Sequence, residues 1–260
     1  MITESFIHCP GVGPKTESML KGNGFYTWDD CLQRPGDLPF NGKRRARFLD
    51  NLRLSQTALD DNDIRYLVSN YPTKEQWRIL AKYHDYATYF DIETTGLSLY
   101  DSHISVIAAY HKGDIHRFSF RDNLDDFLML VDESDLLVSF NGSCFDIPFI
   151  ERSFNIPSID CPHIDLRWVA YHHGFTGGLK RIEKSLNIKR PGEIDEVDGL
   201  EAVILFYRWQ YGDHGAWKRL ISYCSADVVA TYLVLLQVLR RAGVSVADVE
   251  ADELFKLALL

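Results

Sequence analysis

Ala87-Thr88-Tyr89-Phe90-Asp91-Ile92-Glu93-Thr94-Thr95-Gly96 is a run of aromatic and β-branched residues that closes on a glycine turn, the pattern of a buried strand. Its two acids, Asp91 and Glu93, stand two residues apart. Side chains at that spacing on a strand point to the same side. Two carboxylates on one face of an apolar strand repel each other and resist burial, and a divalent cation between them offsets both penalties. The pair points to a Mg²⁺ or Mn²⁺ site. The plainer alternative is a strand end whose acids face solvent.

Outward from this strand the pattern stays β-rich. Residues 86–93, 103–110 and 114–120 alternate with turn residues, and Lys112-Gly113 separates the last two, which predicts an antiparallel meander. Residues 123–131 read as a helix, 136–140 as a short apolar strand, 146–154 as a helix and 158–165 as a further short strand. Helices are expected near 166–172, 178–186, 198–210 and 214–241. A hairpin meander followed by alternating helices and strands implies an α/β fold with a mixed sheet. Before it, residues 1–55 read as short helices joined by tight turns. Residues 56–84 read as helical with a break at Tyr71-Pro72, where Thr73 is an N-cap candidate with Gln76 as capping-box partner. The expected division is 1–55, a helical connector 56–84, a main domain 85–245 and a helical tail 246–260.

The 260 residues are 46% hydrophobic, enough for one large domain with a small appendage. No uninterrupted run of about 20 apolar residues predicts a membrane span. Met1-Ile2-Thr3-Glu4-Ser5 lacks the basic-then-apolar order of a secretory signal. The five cysteines are scattered and contain no Cys-x-x-Cys pair, which argues against a zinc knuckle or a disulfide framework and fits a cytoplasmic setting. A net charge of −9 excludes a broad basic surface, so any nucleic-acid contact must be local, through a patch or a metal cleft.

Two later segments carry related chemistry. In Ser139-Phe140-Asn141-Gly142-Ser143-Cys144-Phe145-Asp146 a strand enters a glycine-containing loop and Asp146 opens a helix, as an N-cap, a metal ligand or both. In Tyr223-Cys224-Ser225-Ala226-Asp227, Tyr223 and Asp227 lie four apart on one helix face beside apolar Val228, Val229 and Ala230. A buried aspartate there needs a metal or a partner, and a structural bond from the Tyr223 hydroxyl is the alternative.

Taken together, Asp-x-Glu on a first strand, Asn-x-x-x-Phe-Asp at a strand–helix junction and Tyr-x-x-x-Asp on a late helix resemble the three motifs of the DEDD exonuclease superfamily, tyrosine subgroup, a branch of the ribonuclease-H-like fold. Within it the chain resembles YprB-like proteins over roughly residues 60 to 240. Trp77-Arg78, the stretch from Gly178 through Lys180 to Glu183 before Leu186, and the Tyr207 and Tyr223 segments carry that likeness. The resemblance implies a mixed sheet of five to six strands flanked by helices, and two divalent cations, Mg²⁺ or Mn²⁺. It implies that Asp91 bridges both ions, that Glu93 and Asp227 hold one, and that Asp146 holds the other. Tyr223 orients the attacking water, since a phenol of pKa about 10 is a poor base at neutral pH. The substrate it implies is the single-stranded or frayed 3′ end of a nucleic acid, with Thr94, Gly96, Asn141, Phe145 and Lys180 as expected contacts. Asn141 has the alternative of capping its own turn, and Lys180 with Arg181 that of a solvated basic turn. Asp165 reads as a helix N-cap ahead of a supporting role. His172 and His173, adjacent on a helix, cannot converge on one ion and read as rim residues.

Near the N-terminus, Cys9-Pro10-Gly11-Val12-Gly13-Pro14-Lys15-Thr16 resembles the hairpin of a helix-hairpin-helix motif. Gly11 and Gly13 would let backbone N–H groups approach a DNA phosphate, and Lys15 would add charge. A tight turn that only packs is the alternative. The basic cluster Lys43-Arg44-Arg45-Ala46-Arg47 either extends that contact or forms a solvated helix face. The expected activity is a metal-dependent 3′–5′ exonuclease. Its rivals are an inactive nucleic-acid-binding module and an endonuclease on the same fold.

Overall fold

The computed structural model describes residues 1–195 and 199–260 and divides into two units, Met1–His84 and Asp85–Leu260. In the first unit, helices α1 (Pro14–Gly22), α2 (Trp28–Gln33), α3 (Gly42–Asp60), α4 (Ile64–Asn70) and α5 (Trp77–Tyr83) surround a core containing Phe6, Leu20, Phe25, Trp28, Leu52 and Leu67. Local signals set their starts. Thr27 and Asp30 form a reciprocal capping box on α2, and Pro14 takes the first position of α1, where no amide is needed. Trp28 Nε1 donates to the Ser5 carbonyl at 2.8 Å, which satisfies its polar edge in the core. Ahead of the Pro10–Gly13 turn stands a three-residue 3₁₀ turn, Ile2–Glu4, in place of an α-helix.

The expected capping box at Thr73 and Gln76 does not form. Pro72 leads into a 3₁₀ turn over Thr73–Glu75 with no side-chain cap. The Gln76 carboxamide instead donates to the carbonyls of Val68 and Tyr71, which the end of α4 leaves without helical partners.

The second unit is built on one five-stranded mixed sheet, β1 (Thr88–Thr94), β2 (Ile104–His111), β3 (Asp114–Ser119), β4 (Leu137–Ser139) and β5 (His163–Asp165), in the order β3-β2-β1-β4-β5. β1, β2 and β3 form the antiparallel meander, while β4 and β5 run parallel to β1. Of the expected strand over 158–165 only the last three residues enter the sheet. Helices α6 (Asp126–Asp132), α7 (Asp146–Ser153), α8 (Leu166–His172), α9 (Leu179–Ser185), α10 (Gly192–Asp195), α11 (Gly199–Gln210), α12 (His214–Arg241) and α13 (Ala251–Ala258) complete the unit. The helix expected over 198–210 appears as α11, and residue 198 lies outside the described residues.

The alternation of β1 decides which face does what. Phe90 and Ile92 enter a core with Phe127, Leu130, Phe149 and Ile150 from α6 and α7. Tyr89 points the other way, with its ring 5.1 Å from that of Tyr232 on α12, and Asp91 and Glu93 share that face by the period of two. α12 is long and apolar enough to cross a membrane, but 94% of its apolar window is buried inside the protein, as befits a core helix.

Candidate metal centre

The parallel pairing of β1 with β4 runs through Thr88↔Leu137 and Tyr89↔Val138, while on its other edge β1 continues to pair with β2 as far as Thr94. Asp91 and Glu93 therefore lie where β1 extends past β4, at the carboxyl ends of two neighbouring parallel strands. Crevices of this kind are where open α/β sheets place ligands.

Asp227 comes to the same place from α12. The carboxylates of Asp91, Glu93 and Asp227 each offer an oxygen within 4.8 Å of the other two. With metal–oxygen distances of about 2.1 Å, one hard cation spans such a group. The donors are all carboxylate oxygens, the set that suits Mg²⁺ or Mn²⁺, so the residues present fit the expected group. Burial, followed by the facing Asp227 and Asp146 carboxylates, pushes the Asp91 and Glu93 carboxyls well above the ordinary range. Without a cation, protons reduce the mutual repulsion.

Asp146 stands beside this group and outside it. It occupies the first turn of α7, 4% exposed, while Phe145 takes the N-cap position with no side-chain cap bond. The N-cap reading of Asp146 is thereby corrected. Its carboxylate accepts from its own amide and from the Ile92 N–H of β1, and burial, outweighing these bonds, pushes it up to about 7. The carboxylate occupies the edge of β1 that β4 has left.

The loop that delivers Asp146 is held from below. Asp165 accepts from the amides of Asn141 (2.8 Å) and Ser143 (3.2 Å), and from Arg167 N (3.1 Å) as the N-cap of α8. It thus serves as both cap and brace. The Asn141 side-chain oxygen is taken by Arg167, and its backbone adopts φ 71°, a left-handed conformation that asparagine tolerates. Gly142 allows a close approach: a Cβ there would lie 2.0 Å from Ser139 Oγ.

Other expected contacts are engaged within the protein. Thr94 Oγ1 donates to Gly96 O at 2.7 Å, closing the turn after β1. The Phe145 ring packs 4.8 Å from Phe149. Lys180 Nζ lies 5.2 Å from the Tyr223 ring centroid. His172 is exposed on the last turn of α8 and His173 is its C-cap. Gly11, Gly13 and Lys15 lie in the first unit: Gly11 at φ 80°, Gly13 as the N-cap of α1 and Lys15 exposed in its first turn.

Two contacts have no counterpart in the sequence reading. Arg190 is buried and its Nη2 lies 2.5 Å from Asp227 Oδ1, so the partner of Asp227 is a guanidinium and not the Tyr223 hydroxyl. The same guanidinium meets Glu183 through Nε and Nη2, both at 2.7 Å. The Cys224 thiol, buried on α12, donates to the Asp91 carbonyl (3.4 Å) and lies 3.7 Å from Asp91 Oδ2. Burial also holds the Tyr223 hydroxyl well above its ordinary pKa, with Asp227 and Glu93 adding to the shift. It therefore stays protonated at any working pH. A cavity of about 840 Å³ lined by Leu99, Tyr100, His103, Phe120 and Arg152 includes none of the four acids.

A family model described as the RNase H superfamily matches residues 88–238, the segment from the first residue of β1 into the last turns of α12. The chain belongs to the RNase H superfamily. Family membership spans all four acids, Tyr223 and Arg190. Among solved structures, the chain is similar to the family B DNA polymerase from the archaeon Pyrobaculum calidifontis (18% identity, TM-score 0.48, 65% of this chain and 26% of the polymerase). It is also similar to Brucella melitensis NrnC (20% identity, TM-score 0.41, 69% of this chain and 84% of NrnC). NrnC with bound Mg²⁺ matches at 21% identity and a TM-score of 0.41, over 69% of this chain and 84% of that one. The chain thus spans about a quarter of the polymerase's length. No curated protein matches it.

Proposed function

We propose that this RNase H superfamily member is a metal-dependent nuclease that removes nucleotides from the 3′ end of a nucleic acid with two divalent cations. The observation that carries this reading is the convergence of Asp91, Glu93 and Asp227 to within 4.8 Å, with Asp146 bonded to the same stretch of β1. Asp91, Glu93 and Asp227 would hold one cation, and Asp91 with Asp146 the second. When bound, such a pair supplies a hydroxide at neutral pH and offsets charge on both the attacking and leaving oxygens.

The chain's own residues supply the rest. The protonated Tyr223 hydroxyl can hold the attacking water by hydrogen bonding but cannot take its proton. Lys180, over the Tyr223 ring, adds positive charge to that of Arg190 beside the carboxylates. In the first unit, Pro10, Gly11 and Val12 line a cleft of about 290 Å³ together with Lys43, Arg44 and Arg47, a place for backbone phosphates that carries no base readout.

The test is hydrolysis of a 5′-labelled single-stranded oligonucleotide with Mn²⁺. Shortening from the 3′ end is expected, and Asp91→Ala or Asp227→Ala should lower the rate by ~10³-fold or more. Wild-type rates in both variants would sink the assignment. Cuts within the strand would favour an endonuclease, and binding without cleavage an inactive module.

A further inference from the structure

Arg190 touches the candidate metal centre through Asp227, a contact beyond its own ion pair with Glu183. Its pairing with Glu183 is already complete as a fork, Nε to Oε1 and Nη2 to Oε2, both at 2.7 Å, the strong bidentate form of an arginine–carboxylate pair. Both side chains are nearly sealed from water, at 2% and 4% exposure. The contact from Nη2 to Asp227 Oδ1 is additional to that fork. It reaches a carboxylate whose other neighbours are Asp91 and Glu93.

We propose that Arg190 is a cation latch: its bond to Asp227 competes with a divalent ion for that carboxylate. The inference rests on the metal-centre reading above. Three facing carboxylates, Glu93 buried and Asp91 and Asp227 partly so, need positive charge nearby, and in this structure the guanidinium supplies it. A divalent ion bound by Asp227 draws on the same oxygens and repels the guanidinium across a poorly screened distance. Glu183 sets the strength of the competition. With it, the Arg190–Glu183 pair is neutral as a unit and the guanidinium is held back by two bonds. Without its charge, the guanidinium is a net positive group beside the ion site.

This arrangement makes opposite predictions for the two partners. Mn²⁺ binding to the purified full chain is read by titration calorimetry, and the rise in melting temperature at saturating Mn²⁺ is read separately. Arg190→Met should bind Mn²⁺ about tenfold more tightly than wild type and show a larger Mn²⁺-induced rise, because the carboxylates have lost the guanidinium counter-charge. Glu183→Gln should bind Mn²⁺ about tenfold more weakly, while the double variant returns toward wild type. Equal or weaker binding by a folded Arg190→Met overturns the latch and leaves Arg190 as an orienting group. If Arg190→Met does not fold, Glu183→Gln decides alone: unchanged or tighter binding overturns the proposal. Absence of Mn²⁺ binding by the wild-type chain would instead overturn the metal-centre reading, and the latch with it.

Discussion

The Asp165 carboxylate accepts three backbone N–H bonds, two of them from the loop that ends at Asp146. Asp165→Asn replaces one acceptor oxygen with a donor that faces those amides, leaving buried groups unpaired at a cost of about 1–3 kcal/mol. A lowered melting temperature together with weaker Mn²⁺ binding is expected, because the loop aims Asp146. A fall in melting temperature with Mn²⁺ binding intact would show that Asp165 only caps α8. Asp146 also makes the empty protein's stability depend on pH. Its folded pKa of about 7 lies above the ordinary carboxyl value of about 3.9, so between these values it is protonated when folded and ionised when unfolded. Unfolding then releases a proton, and stability falls as pH rises from about 4 toward 7. Asp91 and Glu93 shift in the same direction. Asp146→Asn should flatten this slope in denaturant titrations of metal-free protein. An unchanged slope would assign it to the other acids. The role of Asp146 as a ligand candidate was legible from its motif. Its bond to Ile92 was not, because nothing local shows that β4 stops short of that amide.

At the scale of elements, the close approach of β4 and α7 depends on Gly142. The clash that a Cβ would make is with Ser139 Oγ, and that hydroxyl is bonded to His163 Nε2 at 2.8 Å on β5. It cannot swing aside without breaking the bond. Gly142→Ala should cost about 1–3 kcal/mol by overpacking and displace Asp146, seen as lower melting temperature and weaker Mn²⁺ binding together. Wild-type values for both would mean that the loop yields freely. The sequence located β1, β2, β3 and the helices over 166–172 and 214–241 well, since their patterning is dense and repeats at a fixed period. It overextended β5, where only three of eight expected residues pair, because a short apolar run does not reveal whether a neighbouring strand lies alongside. It also misassigned Gln76, whose partners are carbonyls that only the end of α4 defines.

Over the whole molecule, charge is divided unevenly. Residues 1–84 hold 12 basic and 10 acidic residues, a balance of +2, while residues 85–260 hold 16 and 27, a balance of −11. The acidic unit contains the candidate metal centre, so general attraction for a polyanion must come from elsewhere. Lys43, Arg44 and Arg47, exposed together along the cleft beside Gly11, are the candidate for such a local contact, with a solvated helix face as the alternative. Replacing all three with alanine should weaken single-stranded DNA binding and reduce the slope of log affinity against log salt by about 2. An unchanged slope would mark the cluster as a solvated face.

The sequence by itself determined the strand that carries Asp91 and Glu93, their shared face, and the placement of Tyr223 and Asp227 on one side of a helix. Each follows from the period of a single element, which the backbone imposes locally. Only the tertiary structure decided what those groups meet. Asp227 faces Arg190, Asp91 faces Cys224, and Asp165 holds a loop 24 residues before it in the chain. Such contacts depend on where elements pack, and a buried arginine looks the same in sequence as a solvated one.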